Sequence, residues 1–148
     1  EIIFEQAQEL FSNRSNANSL SFDVNDFDIS FARGLSLEDG ATTLTDFTAS
    51  IIGAALSSIL SNKKNKTLKV LVCGGGRKNQ VLIEKIKKKT FKNIVLESID
   101  NYGIEGDFVE SQAFAFLAIR SNLSLPISFP STTGCNQPST GGEMIKIK

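Results

Sequence analysis

The densest chemical signal in the chain is the run Lys69-Val70-Leu71-Val72-Cys73-Gly74-Gly75-Gly76-Arg77-Lys78-Asn79. A predicted strand ends in three glycines and a predicted helix follows. Glycine admits a tight turn and lets a ligand approach the backbone N–H groups closely. A helix N-terminus adds partial positive charge, suited to a phosphate or to the edge of a nucleotide. Arg77 and Lys78 strengthen that field. Two better-defined nucleotide motifs are incomplete: there is no GxxxxGK[ST], and Asn79 stands where GxGxxG needs its last glycine. A tight turn between strand and helix that binds nothing stays open as the alternative.

A second segment, Gly103-Ile104-Glu105-Gly106-Asp107-Phe108-Val109-Glu110-Ser111, sets three carboxylates just before and within the first turn of another predicted helix. Paired carboxylates hold sugar hydroxyls or a metal ion. Asp107 and Glu110 also have the spacing of a capping box, which needs no ligand. Hydroxyls gather in a third segment, Ser131-Thr132-Thr133-Gly134-Cys135 with Ser139-Thr140-Gly141-Gly142. They suit a sugar or a phosphate, and they equally suit an ordinary surface loop. The chain contains no His, which removes His-based triads, His metal sites and imidazole acid–base catalysis. Without such a base none of these hydroxyls is an activated nucleophile. The two cysteines, Cys73 and Cys135, are too few for a disulfide framework or a Cys-rich zinc site. Cys73, at a strand end, reads as a small buried residue.

The elements that must position these residues follow from length and periodicity. A chain of 148 residues supports one domain with a real core and not two large ones. Sixteen basic and sixteen acidic residues cancel, so no global field favours nucleic acid or an acidic membrane. The charge is nonetheless uneven: residues 51–100 hold eleven bases and three acids, net +8, against net −7 over residues 1–50. The Lys-rich helix face has no interleaved aromatics, so the basic middle reads as a solvated face and nucleic acid is not an expected partner. The longest nearly apolar run, Ile51 to Leu60, is far short of the roughly 20 residues of a spanning helix. The opening residues Glu1-Ile2-Ile3-Phe4 carry no basic region and no apolar signal core, so a cytoplasmic location is expected. The only Met is Met144, and the expectation is the back part of a longer chain.

Apolar residues at Ile3, Phe4, Ala7, Leu10 and Phe11 predict a leading helix over residues 2–11, and the Ser- and Asn-rich stretch to Ser21 predicts a loop. Residues 23–31 have no clear pattern. Ser36-Leu37-Glu38-Asp39 reads as a capped helix start. The stripe Leu44, Phe47, Ile51, Ala55 and Ile59 extends that helix to about Ser61. Leu68 to Cys73 predicts a strand covered on both faces, because Val70, Leu71 and Val72 are all apolar. Residues 79–89 predict a helix with Val81, Leu82, Ile83 and Ile86 inward and Lys85, Lys87, Lys88 and Lys89 outward. Residues 93–99 predict a second strand, parallel to the first. The last helix, with Ala113 to Ile119 apolar nearly all round, is expected to be buried on most sides.

These segments, in this order, resemble 1,6-anhydro-N-acetylmuramic acid kinases. The Cys73-Gly74-Gly75-Gly76 run with Asn79 is similar to that family's Cys-Gly-Gly-Gly…Asn segment. Gly106-Asp107-Phe108-Val109-Glu110 leading to Ala113-Phe114-Ala115 resembles its Asp-x-x-Glu signature. Leu125-Pro126, Phe129-Pro130 and Thr133-Gly134 match its closing loop, and Ala41 to Ala49 the start of its long helix. The resemblance implies an α/β fold: a ribonuclease H-like lobe of the sugar kinase/actin superfamily, partly truncated, with long packed helices. Residues 1–148 would form a single C-terminal lobe, with a leading segment over 1–33 and the nucleotide-side core and closing loop over 34–148.

The resemblance further implies ATP and magnesium as cofactors and an anhydro-sugar substrate. The sugar would be phosphorylated at O6 while water opens its ring, giving N-acetylmuramic acid 6-phosphate for peptidoglycan recycling. Gly74, Gly75, Gly76 and Asn79 become the nucleotide-side candidates, and Asp107 and Glu110 the sugar-side ones. The family's Asp-Gly-Thr phosphate loop and the segment with its catalytic Asp have no counterpart here, and a Pro-Lys-Ser element is not preserved around Ser19 to Asp23. No catalytic residue is therefore assigned, and the chain alone is expected to be inactive. Helix surfaces meant for the missing lobe predict association, as a homodimer or an aggregate. The alternatives are a non-catalytic α/β interaction module and a kinase of another sugar in the superfamily.

Overall fold

A computed structural model describes Glu5, residues 27–61 and residues 66–145. Apart from Glu5, the leading helix over 2–11, the loop that follows it and the Ser19–Asp23 segment lie outside the described residues, as do residues 62–65 of the expected polar exit. The chain divides into two compact units, the first ending at Gly106 and the second beginning at Asp107.

In the first unit, a 3-10 turn at Ser30–Ala32 precedes helix α1, Leu37–Ile59. Ser36 caps α1 as expected: its Oγ accepts the Asp39 N–H at 3.1 Å, and Glu38 and Asp39 lie in the positive first turn. The buried face of α1 is not the expected stripe. Phe47 is buried against the rings of Phe27 and Phe31, at 6.3 and 5.0 Å between centroids. Beyond it the buried residues are Ala49, Ser50 and Gly53, while Ile59 is exposed. Small residues bring the next helix close, and a periodicity weighted toward large apolar side chains overlooks them.

That next helix is α2, Gln80–Lys89, which lies between strands β1, Leu68–Val72, and β2, Ile94–Ser98. The strands pair in parallel from Leu68↔Ile94 to Val72↔Ser98, as the sequence predicts. Ala49, Ile86, Ile94 and Leu96 form the core, with Val70, Leu82 and Ile83 packed against it. The expectation of a β1 covered on both faces is wrong. Burial alternates along it, and Leu71 and Val95 are exposed on the far face, because among the described residues the helices that form this core cover one face only. Two assignments on α2 also change. Val81 is exposed, and Lys85 and Lys89 turn to α1, placing their ammonium groups 2.9 and 3.1 Å from the two oxygens of Asp46. The Lys85 hydrogen bond, with that of Lys89, holds the Asp46 pKa below its ordinary value against the opposing effect of burial.

In the second unit, α3 spans Val109–Asn122 and α4 is the single turn Pro130–Thr133. Arg120 on α3 donates through Nε to the Pro126 carbonyl at 2.7 Å and lies over the rings of Phe116 and Phe129. An antiparallel bridge joins Ser128 and Ser139, and the Ser121 hydroxyl donates to the Gly141 carbonyl. The expected burial of α3 is not observed. No α3 side chain is buried, and Phe114 and Phe116 are 64% and 58% exposed. A unit this short has too little chain to enclose a helix that is apolar on every side. No helix among the described residues is long and apolar enough to cross a membrane.

Candidate functional site

The glycine turn leaves the carboxyl end of β1, the edge at which open parallel sheets bind ligands. Cys73 is exposed there rather than buried, because β1 ends at Val72 and the chain turns away from the core. Gly74 has φ +74° and ψ 177°, a backbone region that side chains strongly disfavour. A 3-10 turn at Gly75–Lys78 then intervenes before α2, so the glycines do not themselves open the α-helix. Asn79 is the N-cap of α2, and its Oδ1 accepts the Leu82 N–H at 3.1 Å. The four nucleotide-side candidates thus share one turn. A Cβ placed on Gly74 or Gly75 would meet nothing within 4 Å. That open backbone is the feature a nucleotide could approach without displacing protein atoms.

Arg77 does not add a free positive field. Its side chain is only 8% exposed and grips Asp100 with two bonds, Nε to Oδ2 at 2.6 Å and a terminal nitrogen to Oδ1 at 2.9 Å. Its other terminal nitrogen donates to the Gly74 carbonyl at 2.8 Å. Asp100 also accepts the Ser98 hydroxyl and the Gly106 N–H. Arg77 first, then these two donors, hold its carboxyl well below the usual carboxylate range. The charge of Arg77 is thereby balanced within the turn. Asp100 is the residue that sequence reasoning missed. The register was its signal: Val72 pairs with Ser98, so Gly74 and Asp100 each stand two residues past the same end of the ladder.

In the second unit, Asp107 and Glu110 are both exposed. The N-cap of α3 is Phe108, one residue past Asp107, and its side chain makes no capping bond. In the hydroxyl segment, Thr132 and Thr133 donate to the Phe129 carbonyl at 3.2 and 3.3 Å, so both bond to their own turn. Among the described residues no group of three His, Cys, Asp or Glu side chains could hold a metal ion.

The family described as anhydro-N-acetylmuramic acid kinase has a model that matches residues 16–146. The chain belongs to that family. It is 53% identical over 146 residues to an anhydro-N-acetylmuramic acid kinase of Pelagibacter ubique, covering 99% of this chain and 39% of the relative. It is 42% identical over 125 residues to the kinase of the same name from Brucella anthropi, covering 84% of this chain and 32% of that relative. The corresponding protein of Rhizobium rhizogenes is 43% identical over 132 residues, covering 89% of this chain and 34% of its own length. The chain thus spans between about a third and two-fifths of these family members. The small parallel sheet with its helices is consistent with a fragment of a sugar kinase of this family.

Proposed function

We propose that this chain is the C-terminal, nucleotide-side lobe of an ATP-dependent kinase acting on 1,6-anhydro-N-acetylmuramic acid in the cytoplasm. The observation that carries the reading is the open glycine turn at the carboxyl edge of a parallel strand pair, in a chain of this family. ATP supplies the phosphoryl group that goes to the sugar O6, as the anhydro ring opens to N-acetylmuramic acid 6-phosphate during peptidoglycan recycling. In this lobe the backbone of Gly74, Gly75 and Gly76 holds the nucleotide, and Asn79 orients the helix behind it. Asp107 and Glu110 accept hydrogen bonds from sugar hydroxyls. Magnesium comes with the phosphates of ATP.

Phosphoryl transfer needs a phosphate clamp and a group that positions the attacking water. The chain contains no counterpart of the family's elements for either, so it is inactive alone. A coupled assay of ADP release tests both points. The full-length protein turns over ATP only when the anhydro-sugar is present, and the 148-residue chain does not. Sugar-dependent turnover by the chain itself refutes the inactivity, and a full-length protein that is inactive on this sugar but active on another refutes the substrate.

A second reading, a non-catalytic interaction module, has one observation in its favour. Phe114, Phe116 and Ile119 of α3 are exposed, and apolar side chains left in solvent favour association. Under the kinase reading the same surface makes the isolated chain dimerise or aggregate. Sedimentation as a monomer at high concentration contradicts that expectation.

A further inference from the structure

Two loops leave the same end of the strand pair, and one ion pair ties them together. The Gly74–Asn79 turn follows β1, and the Ile99–Gly106 loop follows β2. Gly74 donates its N–H to the Gly106 carbonyl at 2.9 Å. Asp100 accepts the Gly106 N–H at 3.0 Å and both arms of Arg77, which in turn reaches the Gly74 carbonyl. Gly106 is itself shaped to this pair. A Cβ there would lie 2.5 Å from Arg77 Nε and 2.7 Å from Cζ, so only glycine admits the guanidinium.

We infer that Arg77, Asp100 and Gly106 form a clamp that positions the glycine turn for the nucleotide, with Arg77 and Asp100 as positioning residues. The inference rests on the kinase reading above. A run of three glycines has broad backbone freedom, and Gly74 sits at positive φ. Left alone, such a turn must be ordered when the ligand arrives, at the expense of affinity. The clamp fixes both the N–H and the C=O of Gly74, so its backbone is set beforehand. The arrangement uses the planar fork of arginine, which a lysine point charge does not reproduce.

The test uses Arg77→Lys, Asp100→Asn and Gly106→Ala in the full-length protein. Arg77→Lys keeps the charge and loses the fork, Asp100→Asn keeps an acceptor for Gly106, and Gly106→Ala expels the guanidinium without altering any charge. Each is expected to raise the KM for ATP by about tenfold, with the KM for the sugar unchanged. Equal changes in both KM values, or a KM for ATP like wild type in all three correctly folded variants, overturn the clamp. Amide hydrogen exchange gives a readout that needs no turnover. Exchange at Gly74, whose N–H is bonded to the Gly106 carbonyl, rises in each variant while that of Ile86 and Leu96 does not. A rise at all three alike denotes general loosening and refutes positioning, as does no change at Gly74. A wild-type protein that lacks sugar-dependent ATP turnover refutes the kinase reading instead, and the exchange result then still decides whether the pair fixes the turn.

Discussion

Two glycines in α1 are predicted to respond in opposite directions to the same substitution. Both Gly40 and Gly53 lie within the helix, where replacing glycine with alanine gains about 1 kcal/mol from backbone propensity alone. At Gly40 the new Cβ would find only the Leu35 Cβ, 4.0 Å away, so the gain stands. At Gly53 it would lie 2.8 Å from the Lys89 Cβ, 3.1 Å from the Lys89 carbonyl oxygen and 3.3 Å from its carbon. Two of those atoms are backbone, so no rotamer change relieves the clash and the end of α2 must move away. Overpacking of this kind costs about 1–3 kcal/mol, and rigid backbone neighbours put it in the upper half of that range. The net for Gly53→Ala is a loss of about 1–2 kcal/mol after the propensity gain. For a chain of this size that lowers Tm by about 2–8 °C, whereas Gly40→Ala raises it by about 2–4 °C. Paired thermal melts by circular dichroism provide the assay. Shifts of the same sign and size at both positions refute the argument that Gly53 is required by close approach of the two helices.

Three further outcomes follow from the same structure. Ile86→Ala empties a position that is 3% exposed between α1 and the strands and costs about 2–5 kcal/mol, read from urea unfolding. Asn79→Ala removes the oxygen that caps α2 and costs about 1 kcal/mol in the same assay. The pKa of Asp100 is lowered on folding, so its contribution is fully present above the unfolded carboxylate pKa of about 3.9 and is lost as pH falls through the folded value. Melts across pH are therefore expected to show the widest gap between wild type and Asp100→Asn near neutrality, narrowing in strong acid, and a gap that widens in acid contradicts the assignment.

The parts of this fold written in large apolar residues and local chemistry were legible. Ser36 with Glu38 and Asp39 announced the start of α1, and the apolar runs around Val70 and Val95 announced a parallel strand pair. What escaped depended on neighbours. Gly53 and Ala49 carry no hydrophobic signal of their own, yet they define where α2 packs. The three apolar residues of β1 suggested two covered faces, although coverage depends on what else is present and not on the strand. The same holds for α3, whose apolar residues predicted burial and remain exposed. At the candidate site the glycines stood out by type and spacing, whereas Asn79 entered only through the family resemblance. Arg77 looked like a phosphate-facing cation because its partner Asp100 is 23 residues away in sequence and meets it only through strand register.

The most direct test of the central claim is a titration of the full-length protein, selectively labelled with 15N-glycine, with Mg-ATP. Nucleotide bound at the glycine turn moves the amide resonances of Gly74, Gly75 and Gly76 together to saturation, while that of Gly40 on α1 stays in place. Saturable nucleotide binding that leaves those three amides unmoved would contradict that claim, because the glycine turn would then be a turn and not a nucleotide site.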